Sequence, residues 1–213
     1  MRPRTLDHVA LWVSDRDAIA DVATTRLGMH VIDRTDRFTL VGADARRGKL
    51  TLFAAEGRRE RGPLVHVGLR VSSLDGRDER VTLGDGLEAV LVEAPTEVEF
   101  DLDHVALASP DPAAAADAWE SYGLARVGET RLEVGGAFVD LVPGGGGGEP
   151  ERPLLNHLAV LVDSVEEHVT EAKALGIEIA DVVDAANTLA LFVWGPDRVK
   201  LEYVEHKPSF SLV

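Results

Sequence analysis

Asn156-His157-Leu158-Ala159-Val160-Leu161-Val162, then Ser164-Val165-Glu166-Glu167, and finally Val199-Lys200-Leu201-Glu202-Tyr203-Val204 decide how this chain is read. The first run has the length and apolarity of a strand. Ser164 and Glu167 stand in capping-box spacing and predict a helix from Ser164 to about Leu175, with Gly176 ending it. Three more strand-like runs follow, the last of them containing Glu202. The result is a βαβββ unit that opens on a histidine and carries a carboxylate in its closing strand.

Working outward, the same opening recurs. Asp7-His8-Val9-Ala10-Leu11, Val65-His66-Val67-Gly68-Leu69 and Asp103-His104-Val105-Ala106-Leu107 match Asn156-His157-Leu158-Ala159-Val160. About twenty residues after each comes a glycine and an apolar residue: Gly28-Met29, Gly86-Leu87, Gly123-Leu124 and Gly176-Ile177. A fixed internal pattern of this kind is the signature of a repeated supersecondary unit. The expected fold is α+β, with four tandem βαβββ modules forming paired curved mixed sheets covered by helices.

The modules are unequal. The first spans about Leu6–Ala55, with Ser14 as the expected helix cap and strands near Met29–Asp33, Phe38–Val41 and Lys49–Ala54. The second opens at Leu64–Val71 and continues with a weak polar helix around Leu74–Leu83 and a strand at Leu87–Val92. Only ten residues then precede Asp103, so this unit is read as truncated, with Glu97–Phe100 the one further strand it has room for. In the third, Asp111 caps a helix with Pro112 at its first position and Gly123 at its end, and Ala137–Val142 is the last strand. Gly144 to Glu151 reads as a linker. A division into an N-terminal half (1–98, modules 1 and 2, without metal) and a C-terminal half (99–213, modules 3 and 4, with the metal site) follows.

Composition narrows the function classes. The chain has 213 residues, 45% hydrophobic and 28% charged, with a net charge of −15. Such an acidic surface repels phosphate backbones and anionic membranes, so nucleic acid and membrane are not expected partners. With no cysteine, any metal must be held by His, Asp or Glu. No membrane-length apolar run and no signal core behind Met1 are present, so the cytoplasm is the expected compartment.

Strand alternation assigns faces. His104 and His157 lie opposite the apolar face of their strands, as do Asp140 and Glu202 of theirs. Two curved sheets facing each other would bring His104, His157, Glu202 and Asp140 together. Two imidazoles and a carboxylate leave positions open for a substrate and suit Fe, Mn, Ni, Co or Zn. His8 and His66 read as relics, because Thr51 takes the acidic position of the first unit and the second unit is incomplete. His30, His168 and His206 read as surface residues, and Trp12, Trp119 and Trp194 as core.

The βαβββ repeat, the strand-opening His and the Gly-Pro-Asp-Arg-Val-Lys-Leu-Glu run (Gly195–Glu202) resemble the vicinal-oxygen-chelate superfamily of glyoxalases, extradiol dioxygenases and bleomycin-binding proteins. That resemblance implies a divalent metal on His104, His157 and Glu202, with Asp140 as a fourth acidic ligand or base. It departs from the extradiol enzymes in having Phe192 at a Tyr position, Arg198 where Gly is usual, and no further His between His168 and His206. The function expected is metal-dependent isomerase or lyase chemistry that chelates a small oxygenated substrate and stabilises an enolate, with Asp140 and Glu202 catalytic. The alternatives are extradiol ring cleavage and metal-free small-molecule binding. A small-molecule substrate is the expected partner, and a homodimer is compatible with the pattern.

Overall fold

The protein is described from a computed structural model over residues 1–145 and 151–212. Most of the expected linker, 146–150, lies outside the described residues. Strand and helix bounds follow the sequence pattern closely in three of the four units. The first contains β1 (Thr5–Val13), α1 (Arg16–Val22), β2 (His30–Arg34), β3 (Phe38–Gly42) and β4 (Lys49–Ala54). The third contains β8 (Asp101–Ser109), α2 (Pro112–Glu120), β9 (Ala125–Arg126), β10 (Arg131–Val134) and β11 (Ala137–Pro143). The fourth contains β12 (Leu155–Leu161), α3 (Val165–Leu175), β13 (Ile179–Asp184), β14 (Thr188–Trp194) and β15 (Lys200–His206).

The second unit differs. It consists of β5 (Leu64–Val71), β6 (Arg80–Gly84) and β7 (Leu87–Glu93), with no helix where one was expected around Leu74–Leu83. Alternation explains this: Val81 and Leu83 are buried while Arg80 and Thr82 are exposed, which is a period of two. The covering helix is borrowed from the first unit. α1 packs against β6 as well as β3 and β4, and a Cβ on Gly84 would stand 2.7 Å from the Ile19 side chain. Glu97–Phe100 is not a strand.

Two further local expectations change. Asp15, not Ser14, caps α1, its side chain accepting from the Ala18 amide; Ser14 instead donates its hydroxyl to Asp85. α1 then continues as a π-helical turn, Ala23–Leu27, that Gly28 ends at φ 85°, a backbone conformation glycine adopts without penalty.

The sheet topology corrects the expected halves. One eight-stranded sheet runs β13-β14-β15-β12-β1-β4-β3-β2, and a seven-stranded sheet runs β6-β7-β5-β8-β11-β10-β9. The first sheet therefore joins units 1 and 4, and the second joins units 2 and 3. Neither coincides with 1–98 or 99–213. Each sheet is sealed at its centre by antiparallel pairing of two histidine-bearing strands, β1 with β12 and β5 with β8. The outer strand faces are closed by helices over a continuous apolar core that includes Val9, Leu11, Leu158, Val160, Leu201 and Tyr203.

Candidate metal centre

Antiparallel pairing of β1 and β12 builds the site. His8 lies opposite Ala159, and Ala10 opposite His157, so the two imidazoles project diagonally from one face of the sheet. β15 runs parallel to β12 with Glu202 beside Ala159, and β4 sets Thr51 beside Ala10. Four repeat-equivalent positions on neighbouring strands thus converge. Three of them carry metal-ligating side chains: His8, His157 and Glu202.

Their spacing is tight. His8 Nε2 stands 3.1 Å from His157 Nε2, and Glu202 Oε2 stands 3.3 Å from the first and 2.8 Å from the second. Donors about 2.1 Å from one ion and at right angles to each other would stand about 3.0 Å apart. The set fits a single small cation with one face of its coordination sphere open.

The outer hydrogen bonds aim the rings. His8 Nδ1–H donates to Asp7 at 2.7 Å, and His157 Nδ1–H donates to the Asn156 Oδ1 at 3.0 Å. With Nδ1 engaged in this way, each ring would offer its Nε2 lone pair to a bound metal. Asp7 is 1% exposed and also meets Lys49 Nζ at 2.9 Å and His206 Nε2 at 3.0 Å. One ammonium and two imidazoles share the buried Asp7 carboxylate, which anchors His8.

The charges in the site point the same way. Burial alone would raise the Glu202 carboxyl, but its contacts with the His157 and His8 rings hold it at about 2. Burial would lower His8, yet its bonds to Asp7 and Glu202 push it up to about 9. Burial is the largest influence on His157 and lowers it, with Glu202 working against it. A proton on His8 places positive charge beside Glu202. A divalent ion would displace that proton and satisfy all three donors.

This site corrects the ligand set expected from the sequence. His157 and Glu202 are in it; His104 is not. His104 belongs to the second sheet, where its Nε2 lies 2.8 Å from His66 Nε2 and its Nδ1–H donates to Asp103. Asp140 is also in the second sheet, ion-paired with Arg131 at 3.0 Å. The physical reason is strand pairing: β12 pairs with β1 and not β8, so the imidazole delivered beside His157 is that of His8. His206 and His168, read as surface residues, are inside as well. His206 holds Asp7, and His168 accepts from the Arg2 amide while its Nδ1–H donates to the Ser164 carbonyl. His30 is exposed beside Glu99 as expected.

Aromatic side chains border the ligands. Phe192 lies edge-on to His157 with ring centroids 5.1 Å apart. Trp12, Phe53 and Phe38 form a chain of contacts at 5.3 and 5.9 Å, and the register of β1, β4 and β3 sets them on the face of His8 and Thr51. A cleft of about 700 Å³ adjoins this region, lined by Trp12, Asn156, Trp194 and Lys200 among others; its described lining includes none of the three donors. Arg198 adopts φ 58°, the left-handed region glycine favours. Its guanidinium sits 4.1 Å over the Trp194 ring, which offsets a backbone cost of about 1–2 kcal/mol.

The model for the Glyoxalase/Bleomycin resistance protein/Dioxygenase superfamily matches residues 5–82. That stretch, a little over a third of the chain, is similar to the glyoxalase superfamily. Among the described residues the fold is of the vicinal-oxygen-chelate type, as likenesses to solved structures show. A Bacillus subtilis protein described provisionally as a dioxygenase superposes with a TM-score of 0.75 at 17% identity, over 98% of this chain and 87% of that one. Glyoxalase I from Zea mays gives 0.70 at 16% identity, over 94% and 92%. The CppA protein of Streptococcus pneumoniae gives 0.60 at 13%, over 95% and 98%. No curated protein matches in sequence. These likenesses cover both sheets, so the vicinal-oxygen-chelate fold extends well beyond the matched residues.

Proposed function

We propose that this chain is a metal-dependent enzyme that holds one divalent ion on His8, His157 and Glu202 and cleaves a small aromatic diol with O₂. The observation that supports the metal site, on which the reading rests, is the convergence of two imidazoles and one carboxylate at mutual distances of 2.8–3.3 Å. A metal held there supplies Lewis acidity towards adjacent substrate oxygens and, as iron, a redox centre for O₂.

The residues account for the rest. Asp7 and Asn156 fix the tautomers of His8 and His157. Glu202 is the only anionic donor, and its burial keeps water from competing. Thr51 stands where a fourth ligand would come from the first unit, and its hydroxyl leaves that position free for substrate. Trp12, Phe38, Phe53 and Phe192 offer ring faces and edges to a planar apolar body. The reaction inserts both atoms of O₂ into the ring and needs no other reductant.

Enolate-type isomerase or lyase chemistry is the second reading. Asp140 was its expected base, and that residue is on the other sheet, which leaves Glu202 as the carboxylate among the three converging donors. What favours it is Phe192, which sets an apolar ring against His157 where ring cleavage would use an acid–base group.

The test is to load the protein with Fe(II) anaerobically and add catechols and O₂. Appearance of a yellow ring-fission product at an enzymatic rate is the expected result. Turnover of a 2-oxoaldehyde hemithioacetal, with every catechol inert, would replace the first reading by the second. Failure to retain any divalent metal would overturn both.

A further inference from the structure

The second sheet repeats the first. His66 lies opposite Ala106, and Gly68 opposite His104, as His8 and Ala10 lie opposite Ala159 and His157. The two imidazole pairs have the same edge-on geometry, with centroids 5.0 Å apart at 87° against 5.3 Å at 75°. Asp140 lies beside Ala106, the place Glu202 takes beside Ala159. Asp103 backs His104 just as Asp7 backs His8. Gly68 carries no side chain, and a Cβ there would meet the His104 ring at 2.2 Å. Two imidazoles and a carboxylate are therefore set out on this sheet as well.

One neighbour differs. Across from Glu202 in the first sheet is Phe192; across from Asp140 in the second is Arg131. Phe192 makes no claim on its carboxylate, whereas Arg131 Nε holds Asp140 Oδ1 at 3.0 Å while its guanidinium lies 4.0 Å over the Phe138 ring. His66 keeps its Nδ1 buried without a partner. Burial, the facing His104 and the nearby Arg80 lower its pKa, while Asp140 works against them.

We propose that His66, His104 and Asp140 form a latent second metal site that Arg131 closes. The guanidinium supplies the positive charge that a divalent ion would bring, and it draws the carboxylate away from the imidazoles. Arg131 is thus what limits the chain to one metal. This inference stands apart from the reading of the first site.

The test silences the first site with Glu202→Ala and follows Co(II) by its visible d–d absorption and by calorimetry. The Glu202→Ala protein should take up no Co(II) at the second sheet. Adding Arg131→Phe, which copies the residue facing Glu202, should create one site per chain. Adding His66→Ala as well should abolish it. Arg131 is exposed, with 45% of its side chain accessible, so the substitution spares the core; Arg131→Met serves as a second version, and circular dichroism checks that each variant is folded. No Co(II) uptake in either folded Arg131 variant overturns the proposal. So does uptake that survives His66→Ala, or uptake lost to His66→Ala while Arg131 is still in place.

Discussion

Glu202→Ala should lower divalent-metal affinity by more than about 100-fold, since removing even an outer partner of a metal ligand costs about 10–100-fold. The carboxylate is the only anion among the converging donors, and it lies 2.8 Å from His157 and 3.3 Å from His8. Without it two imidazoles remain as donors, and the fixed negative charge that would attract a divalent ion is gone. Titration with Ni(II) by calorimetry, compared with the unaltered protein, measures the effect. Equal affinity in the two proteins would remove Glu202 from the site.

The second large effect is on stability. Trp119 on α2 is 1% exposed, packs edge-on to Tyr122 at 5.5 Å, and fills the space over Gly195, where a Cβ would meet its ring at 2.8 Å. It therefore ties the helix of the third unit to the loop that precedes β15 of the fourth, linking the two sheets. Trp119→Ala should destabilise the fold by about 3–5 kcal/mol, the range for buried large-to-small changes at aromatic positions. Urea unfolding followed by circular dichroism gives the number. A loss below about 1 kcal/mol would mean that α2 is not held through this contact.

Much of this was legible in the residues. The repeated Asp/Asn/Val-His opening, the glycine after each helix and the alternation in β12 and β15 carry local information, because side-chain period and capping are properties of a few adjacent residues. That His157 and Glu202 leave the apolar faces of their strands was readable for that reason. Pairing was not. β1, β5, β8 and β12 have nearly the same pattern, so nothing within any one of them says which will meet which. The nested arrangement, units 2 and 3 together and unit 1 with unit 4, decides that His8 and not His104 faces His157. Asp140 was misplaced by the same step: it keeps the repeat position of Glu202, but on the sheet where Arg131 takes it.

A signal for His8 was present. Asp7, Asp103 and Asn156 each precede a strand-opening histidine and each bond its Nδ1, whereas Val65 precedes His66, whose Nδ1 has no partner. An acceptor directly before the imidazole orients the ring, which sets His8 with His104 and His157 and apart from His66. The missing helix of the second unit was hidden differently. Its polar residues suggested a weak helix, but α1 reaches across to cover Val81 and Leu83, a tertiary arrangement that no local window contains.

The most direct measurement is elemental analysis of untagged protein in three forms: unaltered, His8→Ala and His104→Ala. One divalent metal per chain in the unaltered protein, lost in His8→Ala and kept in His104→Ala, is the expected result. Metal kept in His8→Ala and lost in His104→Ala would contradict the site described here.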